Sequence, residues 1–233
     1  HRPLRLGNCD MSTGTKHTIS AFDDDMDEIR GLIAEMGARA EAAVVAAMKA
    51  LREHDTDAAA TIRAEDKIID TLETEVERLV VRTIALRAPM ADDLRELIAA
   101  LKMSAVIERI GDYAKNIAKR VPQMSGKIPS SALEQLGRMG EIVVEMIRTA
   151  MDAYAKRDVD LAHAVTVRDD VVDQLNKDLF VDFVAYVVKN PEKATEVAHL
   201  LFTAKNLERI GDHTTNVAQM IYFTETGENL PDA

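Results

Sequence analysis

The chain has 233 residues and a formal net charge of −11. This acidity disfavours binding to nucleic acid, because carboxylates repel the phosphate backbone, whereas it suits hard cations or a basic partner surface. Cys9 is the only cysteine, which excludes an intrachain disulfide and a metal site built from cysteines.

The composition favours an all-helical protein with an aliphatic core. Hydrophobic residues make up 47% of the chain, but aromatic residues only 4%. Glycine and proline are scarce, which favours helices over strands. No apolar run approaches the roughly 18 residues of a membrane-spanning helix. Residues 1–16 lack the apolar region of a signal peptide and are expected to form a disordered head, so we predict a cytoplasmic protein.

The first half of the chain predicts a bundle over residues 17–121. Its first helix starts near Phe22 and keeps helical spacing of apolar residues for about seven turns. A break follows at residues 54–56, where Asp55 or Thr56 can cap the second helix. The second helix should end before Pro89, because the residue preceding a proline avoids helical geometry.

The third helix is predicted from about residue 91 to 120, and residues 122–130 read as an interdomain linker. The second bundle covers residues 131–225 and leaves a tail at 226–233. Its breaks lie at Asp158 and at the Asn190-Pro191 junction. The predicted helices of this bundle are 131–157, 159–189 and 192–224.

An internal repeat relates the two halves. Residues 47–73 align without gaps to residues 150–176, and the segment Glu-Arg-Ile-Gly-Asp at 108–112 recurs at 208–212. The offset is 103 in the first block and 100 in the second, so a three-residue difference lies in the turn between them. Long helices joined by short loops pack antiparallel. The predicted fold is therefore all-α, a tandem repeat of two antiparallel three-helix bundles with six long helices.

Acidic pairs at positions i and i+4 are the candidate site. This spacing places both carboxylates on one helix face, where like charges cost roughly a few tenths of a kcal/mol per pair. A single pair of this kind is usually just a solvated face. The four pairs are Asp66 with Asp70, Glu108 with Asp112, Asp169 with Asp173, and Glu208 with Asp212.

The positions of these pairs relative to the turns indicate that the pairs of each half form one site. Residues equidistant from a turn lie at the same level of two antiparallel helices. Asp70 and Glu108 are symmetric about Pro89, and so are Asp66 and Asp112. The acidic residues of the second half are symmetric about the Asn190-Pro191 junction in the same way. Each half should therefore stack four carboxylates across two helices, which is unfavourable unless a cation neutralises them.

The type of ligand atom restricts the choice of metal ion only in part. An all-oxygen set suits Mg, Mn, Ca or Fe better than a structural zinc, and the choice among divalent and trivalent ions, Zn included, stays open. The apolar stripe of the third helix lies nearly opposite Glu108, Asp112 and Asn116 at about 100° per residue. We therefore expect the site on the bundle surface, between helices.

Residues beside the carboxylates allow two interpretations each. Gly111 and Gly211 cost about 1 kcal/mol each inside a helix relative to alanine. They are either tolerated, or they permit close helix approach and clear room for the carboxylates. Arg109 and Arg209 either hold a carboxylate or phosphate by two hydrogen bonds, or form ordinary surface salt bridges. Asn116 and Asn216 are possible additional polar contacts.

The two Glu-Arg-Ile-Gly-Asp segments resemble the PhoU family of phosphate-uptake regulators. Their continuations at 116–118 and 216–218 and the opening at 17–37 also match, so the resemblance covers roughly residues 17–225. It places the family's acidic-x-x-x-Asp metal signature on all four acidic pairs.

The resemblance implies a function as well as a fold. It implies a tandem helical bundle, often a homodimer, that binds metal and is not an enzyme. Such a protein is a negative regulator of phosphate uptake and phosphate-starvation signalling. Its partners would be the ATPase of the phosphate ABC transporter and a sensor histidine kinase, and it would meet the membrane only through them.

Two other functions stay open. A ferritin-like, carboxylate-bridged metal oxidase needs Glu-x-x-His on two helices. Glu196 and His199 supply one such motif, but the repeat counterpart of His199 is Ala99. A purely structural helical scaffold with solvated acidic faces is the second alternative. Nucleophilic catalysis is disfavoured, because no Ser or Cys has a histidine partner by motif.

Overall fold

The computed structural model describes residues 12–125 and 130–231. This part of the chain contains six long helices and no strand, which confirms the all-α prediction. Single 3₁₀ turns at Val121–Gln123 and Pro191–Lys193 follow α3 and precede α6. The helices are α1 (Ser12–Glu53), α2 (Thr56–Arg87), α3 (Asp92–Ala118), α4 (Ser130–Lys156), α5 (Val159–Lys189) and α6 (Ala194–Thr226).

The predicted breaks lie where the sequence placed them. Asp55 caps α2, because its side chain accepts hydrogen bonds from the backbone N–H groups of the second and third residues of that helix. Asp158 caps α5 in the same way. A cap of this kind is worth about 1 kcal/mol. α2 ends at Arg87, two residues before Pro89.

Helix α1 begins earlier than predicted. It starts at Ser12 rather than near Phe22, so residues 12–16, which we had placed in a disordered head, are helical. Residues 1–11 and 126–129 lie outside the described residues. Residues 12–20 lack a helical period of apolar residues, so the sequence pattern did not predict a helix there. Extending an existing helix costs far less than nucleating one, so the anchored part of α1 can propagate toward the N-terminus.

The two bundles share one core. Within each half, consecutive helices pack against one another, and α1 packs on α4 and α3 on α6 across the halves. The buried side chains form a single continuous cluster. Met124 of the predicted linker and Val121, just before it, are buried in this cluster. The tandem bundles are therefore halves of one packed structure.

The seam between α1 and α4 is reciprocal. A Cβ at Gly37 would overlap the thioether of Met151, and a Cβ at Gly140 would lie 3.1 Å from Cγ of Met48. Gly37 and Gly140 are repeat equivalents, as are Met48 and Met151. Each glycine thus receives the methionine of the other half, the pattern of an interface between two-fold-related copies.

The fold places the candidate site on two pairs of helices. Helices α2 and α3 carry the acidic pairs of the first half, and α5 and α6 those of the second. Among the described helices, none combines the length and the apolar character needed to cross a membrane.

Candidate metal centre

Three of the predicted carboxylates of the second half converge. Asp173 on α5 and Glu208 and Asp212 on α6 each offer an oxygen, and these oxygens all lie within 4.8 Å of one another. Across residues 21–125 and 131–231, no other three Asp, Glu, His or Cys side chains meet this spacing. Side chains of α5 and α6 thus lie at the same level of the two antiparallel helices.

The environment of this cluster makes its negative charge costly. The Glu208 side chain is only 13% exposed. Its Oε1 accepts a hydrogen bond from Lys205 Nζ at 2.5 Å, whereas Oε2 is buried without a hydrogen-bond partner among the described residues. Arg209 Nε lies 4.0 Å from this oxygen, beyond hydrogen-bond distance. A buried acceptor without a hydrogen bond costs on the order of 1–3 kcal/mol. Burial raises the pKa of Asp212, the Glu208 charge adds to this, and Arg209 opposes it.

Asp169 lies beside this group rather than in it. Its Oδ1 is buried, and a Cβ at residue 211 would lie only 2.7 Å from that oxygen. Gly211 therefore clears room for a carboxylate, one of the two interpretations the sequence allowed. Burial raises the pKa of Asp169 to about 6, the Thr215 hydroxyl lowers it again in part, and the charges of Asp212 and Asp173 add to the rise.

The first half arranges its carboxylates around a lysine. Lys115 Nζ donates hydrogen bonds to Asp66 Oδ2 and Asp112 Oδ1, which joins α2 to α3. The Asp66 side chain is only 6% exposed. Burial alone would lower the pKa of Lys115, but the hydrogen bonds to Asp112 and Asp66 outweigh it and raise that pKa. The ammonium group thus supplies a positive charge where the sequence predicted a cation.

The other carboxylates of the first half crowd one another. Burial raises the pKa of Glu108 to about 7, the charges of Asp112 and Glu73 add to the rise, and Arg109 opposes it. Burial also raises the pKa of Glu73, with the charge of Asp70 adding to the effect. Asp70 thus acts on Glu73, and Glu73 and Asp112 act on Glu108, while the predicted convergence of Asp70 with Glu108 stays a prediction.

Sequence reasoning missed Lys115 and Glu73. A signal for both was available, since Lys115 is three residues after Asp112 and Glu73 three residues after Asp70, on the same helix faces. Comparison of the repeats would have marked them too, because the second half carries no charge at either position. The equivalents are Thr215 and Asn176.

The two motif arginines form salt bridges within their own helices. Arg109 lies 3.3 Å from Asp112, and Arg209 lies 3.5 Å from Asp212. Both are about half exposed, which fits the ordinary salt-bridge interpretation. Asn116 is half-buried and Asn216 exposed, and neither belongs to the group of three carboxylates.

Two of the carboxylates lie deeper than the helical wheel indicated. The side chains of Glu108 and Glu208 are 16% and 13% exposed. A surface position was predicted because they stand opposite the apolar stripe of their helix. These two glutamates lie deeper because α3 packs against α1, α2 and α6, so the flanks of its stripe are covered as well. Asp112 and Asp212 are 25% and 37% exposed, as a position at the bundle surface requires. The prediction that the site lies between helices agrees with the structure.

The donor set fits a hard cation. Carboxylate oxygens are the ligands preferred by Mg, Mn, Ca and Fe ions, and a cation would satisfy the unpaired oxygen of Glu208. His213 follows Asp212 but packs edge-on against Tyr113, with ring centroids 5.3 Å apart. Glu196, half of the ferritin-like motif, accepts a hydrogen bond from the backbone N–H of Ser125 at 2.6 Å. Glu196 therefore binds the backbone at the end of the bundle and does not lie with the site carboxylates.

The fold and the site define a class of protein, a duplicated helical bundle with an acidic centre between the second and third helix of each half. The PhoU domain family matches residues 33–121 and 136–221. The chain belongs to the PhoU family.

Curated relatives and solved structures agree with this assignment. The phosphate-specific transport system accessory protein PhoU homolog of Zymomonas mobilis is 47% identical over 93% of this chain and 91% of that protein. Its counterpart in Caulobacter vibrioides is 41% identical over 93% and 94%. The crystal structure of PhoU from Pseudomonas aeruginosa has a TM-score of 0.85 at 32% identity, covering 89% of this chain and 100% of that one. The phosphate transport system regulatory protein PhoU from Streptococcus pneumoniae has a TM-score of 0.84 at 26% identity, covering 90% and 99%.

Proposed function

We propose that this protein is a negative regulator of phosphate uptake and phosphate-starvation signalling that works by binding a metal ion and protein partners. Relatives at 47% and 41% identity carry the name of accessory proteins of the phosphate-specific transport system, which supports a role in regulating phosphate transport. The observation that supports the metal is the convergence of Asp173, Glu208 and Asp212 within 4.8 Å.

A hard cation, of Mg, Mn or Fe type, would be held in the second half by these three residues, with Asp169 beside them. In the first half the ligands would be the predicted carboxylates Asp66, Asp70, Glu108 and Asp112. There the Lys115 ammonium must leave before a metal can bind, because it contacts two of them. The metal would neutralise a repulsive, partly buried group of carboxylates and so fix α5 against α6.

The protein would act as an adaptor rather than as an enzyme. Carboxylates only accept hydrogen bonds or metal when ionised, and the site residues offer no nucleophile paired with a base. The proposed partners are the ATPase of the phosphate ABC transporter and a sensor histidine kinase, met in the cytoplasm by a homodimer. Contact with the membrane would then be indirect, through those partners.

The regulatory proposal is tested with a phosphate-starvation reporter. Deletion of the gene should derepress the reporter in phosphate-rich medium, and the wild-type gene on a plasmid should restore repression. Normal repression in a clean deletion strain without a second copy of the gene refutes the regulatory role.

The metal proposal is tested separately by metal analysis of the purified protein. Asp112→Ala with Asp212→Ala should abolish bound metal after mild purification. Asp178→Ala is the matched control, because this exposed acid on α5 hydrogen-bonds to Gln174 at 2.8 Å and lies outside the cluster. Unchanged metal content in the double variant would count against these ligands.

A further inference from the structure

An apolar groove lies on the outer face of the second half, between α5 and α6. Phe180, Val181 and Phe202 line it and are 57%, 65% and 53% exposed. Val184 and Val188 continue the apolar row along α5 and are exposed too. Large exposed apolar residues that cluster in this way mark a binding surface, whereas scattered ones need no explanation.

The repeat supplies an internal comparison for this groove. The same face of the first half, between α2 and α3, is exposed as well, and charged side chains stand at three of its positions, although Val81, the counterpart of Val184, is apolar and exposed there too. Folding therefore does not require apolar residues at these positions. Glu77, Arg78 and Lys102 occupy the positions of Phe180, Val181 and Phe202.

One end of the groove is basic, although the chain as a whole carries a net charge of −11. Lys177 and Lys205 line that end, and the Arg120 guanidinium lies over the Phe202 ring, 4.4 Å from its centroid. Lys205 Nζ donates a hydrogen bond to Glu208, so Lys177 and Arg120 supply the positive charge at this end. No carboxylate lines the groove among the described residues. The acidic Asp182 of α5 is turned toward α4, where it accepts a hydrogen bond from Gln135.

We propose that this groove is the docking site for an amphipathic helix of a partner protein, with an apolar stripe of about three turns and acidic residues at one end. Helices commonly bind through an apolar face laid into such a groove. The row from Lys177 to Val188 spans about 16 Å at the helical rise of 1.5 Å per residue, or three turns. Carboxylates of the partner would meet Lys177 and Arg120, because Lys205 is already paired with Glu208.

The charges disfavour the two other occupants. Two copies of this chain pairing by a two-fold axis would set the groove against itself, with Lys177 and Arg120 of both copies facing each other and no groove carboxylate to meet them. An anionic membrane would repel a chain of net charge −11, and a flat bilayer does not fill a groove between two helices.

The inference rests on the proposed function, because it places the phosphate-transport partners at this groove. The probes are the purified ATPase subunit of the organism's phosphate transporter and the cytoplasmic part of its phosphate sensor kinase. The variant Phe180→Glu with Phe202→Lys gives the groove the first half's residues. Val81→Glu, a change at a 58% exposed valine of α2, is the matched control.

The wild type should bind at least one probe, the groove variant should bind it at least tenfold more weakly, and the control should stay within twofold of wild type. An unchanged circular dichroism melt shows that the groove variant is folded. Equal binding by wild type and groove variant overturns the inference and leaves the proposed function standing. Binding of neither probe by the wild type overturns both.

Two further measurements separate the other occupants. Sedimentation shows whether the groove variant loses self-association, and pelleting with phosphatidylglycerol vesicles shows whether it loses membrane binding. Either loss, with partner binding intact, overturns the helix assignment.

Discussion

Replacement of Gly211 by alanine tests whether the mid-helix glycine exists to make room for a carboxylate. A Cβ there would lie 2.7 Å from Oδ1 of Asp169, well inside van der Waals contact. Overpacking of this size costs about 1–3 kcal/mol. Alanine in a helix interior gains about 1 kcal/mol over glycine. The net change in the free energy of unfolding should lie between about zero and a loss of 2 kcal/mol.

A matched control isolates the steric effect. Gly137 on α4 has nothing within 4 Å of its Cβ position. Gly137→Ala should therefore gain up to about 1 kcal/mol by helix propensity alone. The two variants should differ by about 1–3 kcal/mol, which corresponds to roughly 2–4 °C in melting temperature for each kcal/mol in a chain of this size.

The assay is urea and thermal unfolding in the presence of a chelator, followed by circular dichroism. A double-mutant cycle with Asp169→Ala completes it. In the Asp169→Ala background the new Cβ no longer overlaps a carboxylate oxygen, so Gly211→Ala should stabilise about as much as Gly137→Ala. The free-energy changes of the two substitutions should therefore not be additive, as is usual for residues in contact. Equal stabilisation by Gly211→Ala and Gly137→Ala in the wild-type background would refute the argument.

Three further predictions follow from the same geometry. Burial raises the pKa of Asp169 to about 6, so the folded state holds this proton more tightly than the unfolded state. The free energy of unfolding of the metal-free protein should therefore fall as pH rises from about 4 to 6. Asp169→Asn should flatten this part of a pH–stability profile. Lys115→Thr should lower the free energy of unfolding in chelator by about 1–3 kcal/mol, because it leaves the buried Asp66 carboxylate without a partner. Millimolar Mg²⁺ should restore part of this loss. A variant as stable as wild type in chelator would contradict the prediction. Gly37→Ala, which crowds Met151, should destabilise relative to Gly31→Ala, whose Cβ meets nothing within 4 Å, in the same unfolding assay.

The fold and the level of the carboxylates were predictable because they depend on fixed helix geometry. The rise per residue is constant and the turns are short, so equal distances from Asn190-Pro191 place Asp173 beside Glu208. The caps at Asp55 and Asp158 were predictable for a similar reason, since a capping side chain acts on backbone groups two and three residues away.

The remaining features depend on tertiary packing that one sequence does not encode locally. Lys115 reaches Asp66 on another helix, which depends on the rotamer of a long side chain. The burial of Glu108 depends on which helices cover α3. The shared core was not predicted, because helical periodicity shows which residues share a face but not which helix that face contacts. Gly37 and Met151 would keep the same periodicity whether they packed within their own bundle or against the other half.

The reciprocal seam of Gly37 with Met151 and of Gly140 with Met48 makes the chain resemble a symmetric dimer joined into one polypeptide. A dimer of identical chains must display every surface feature twice. Joining the copies removes that constraint. Here the seam keeps its symmetry, while the outer faces differ: Lys115 sits in one acidic centre only, and Phe180 and Phe202 line one groove only. Under the two proposals above, such a molecule would bind one docking helix per chain, and its two acidic centres would take up the same ion at different concentrations.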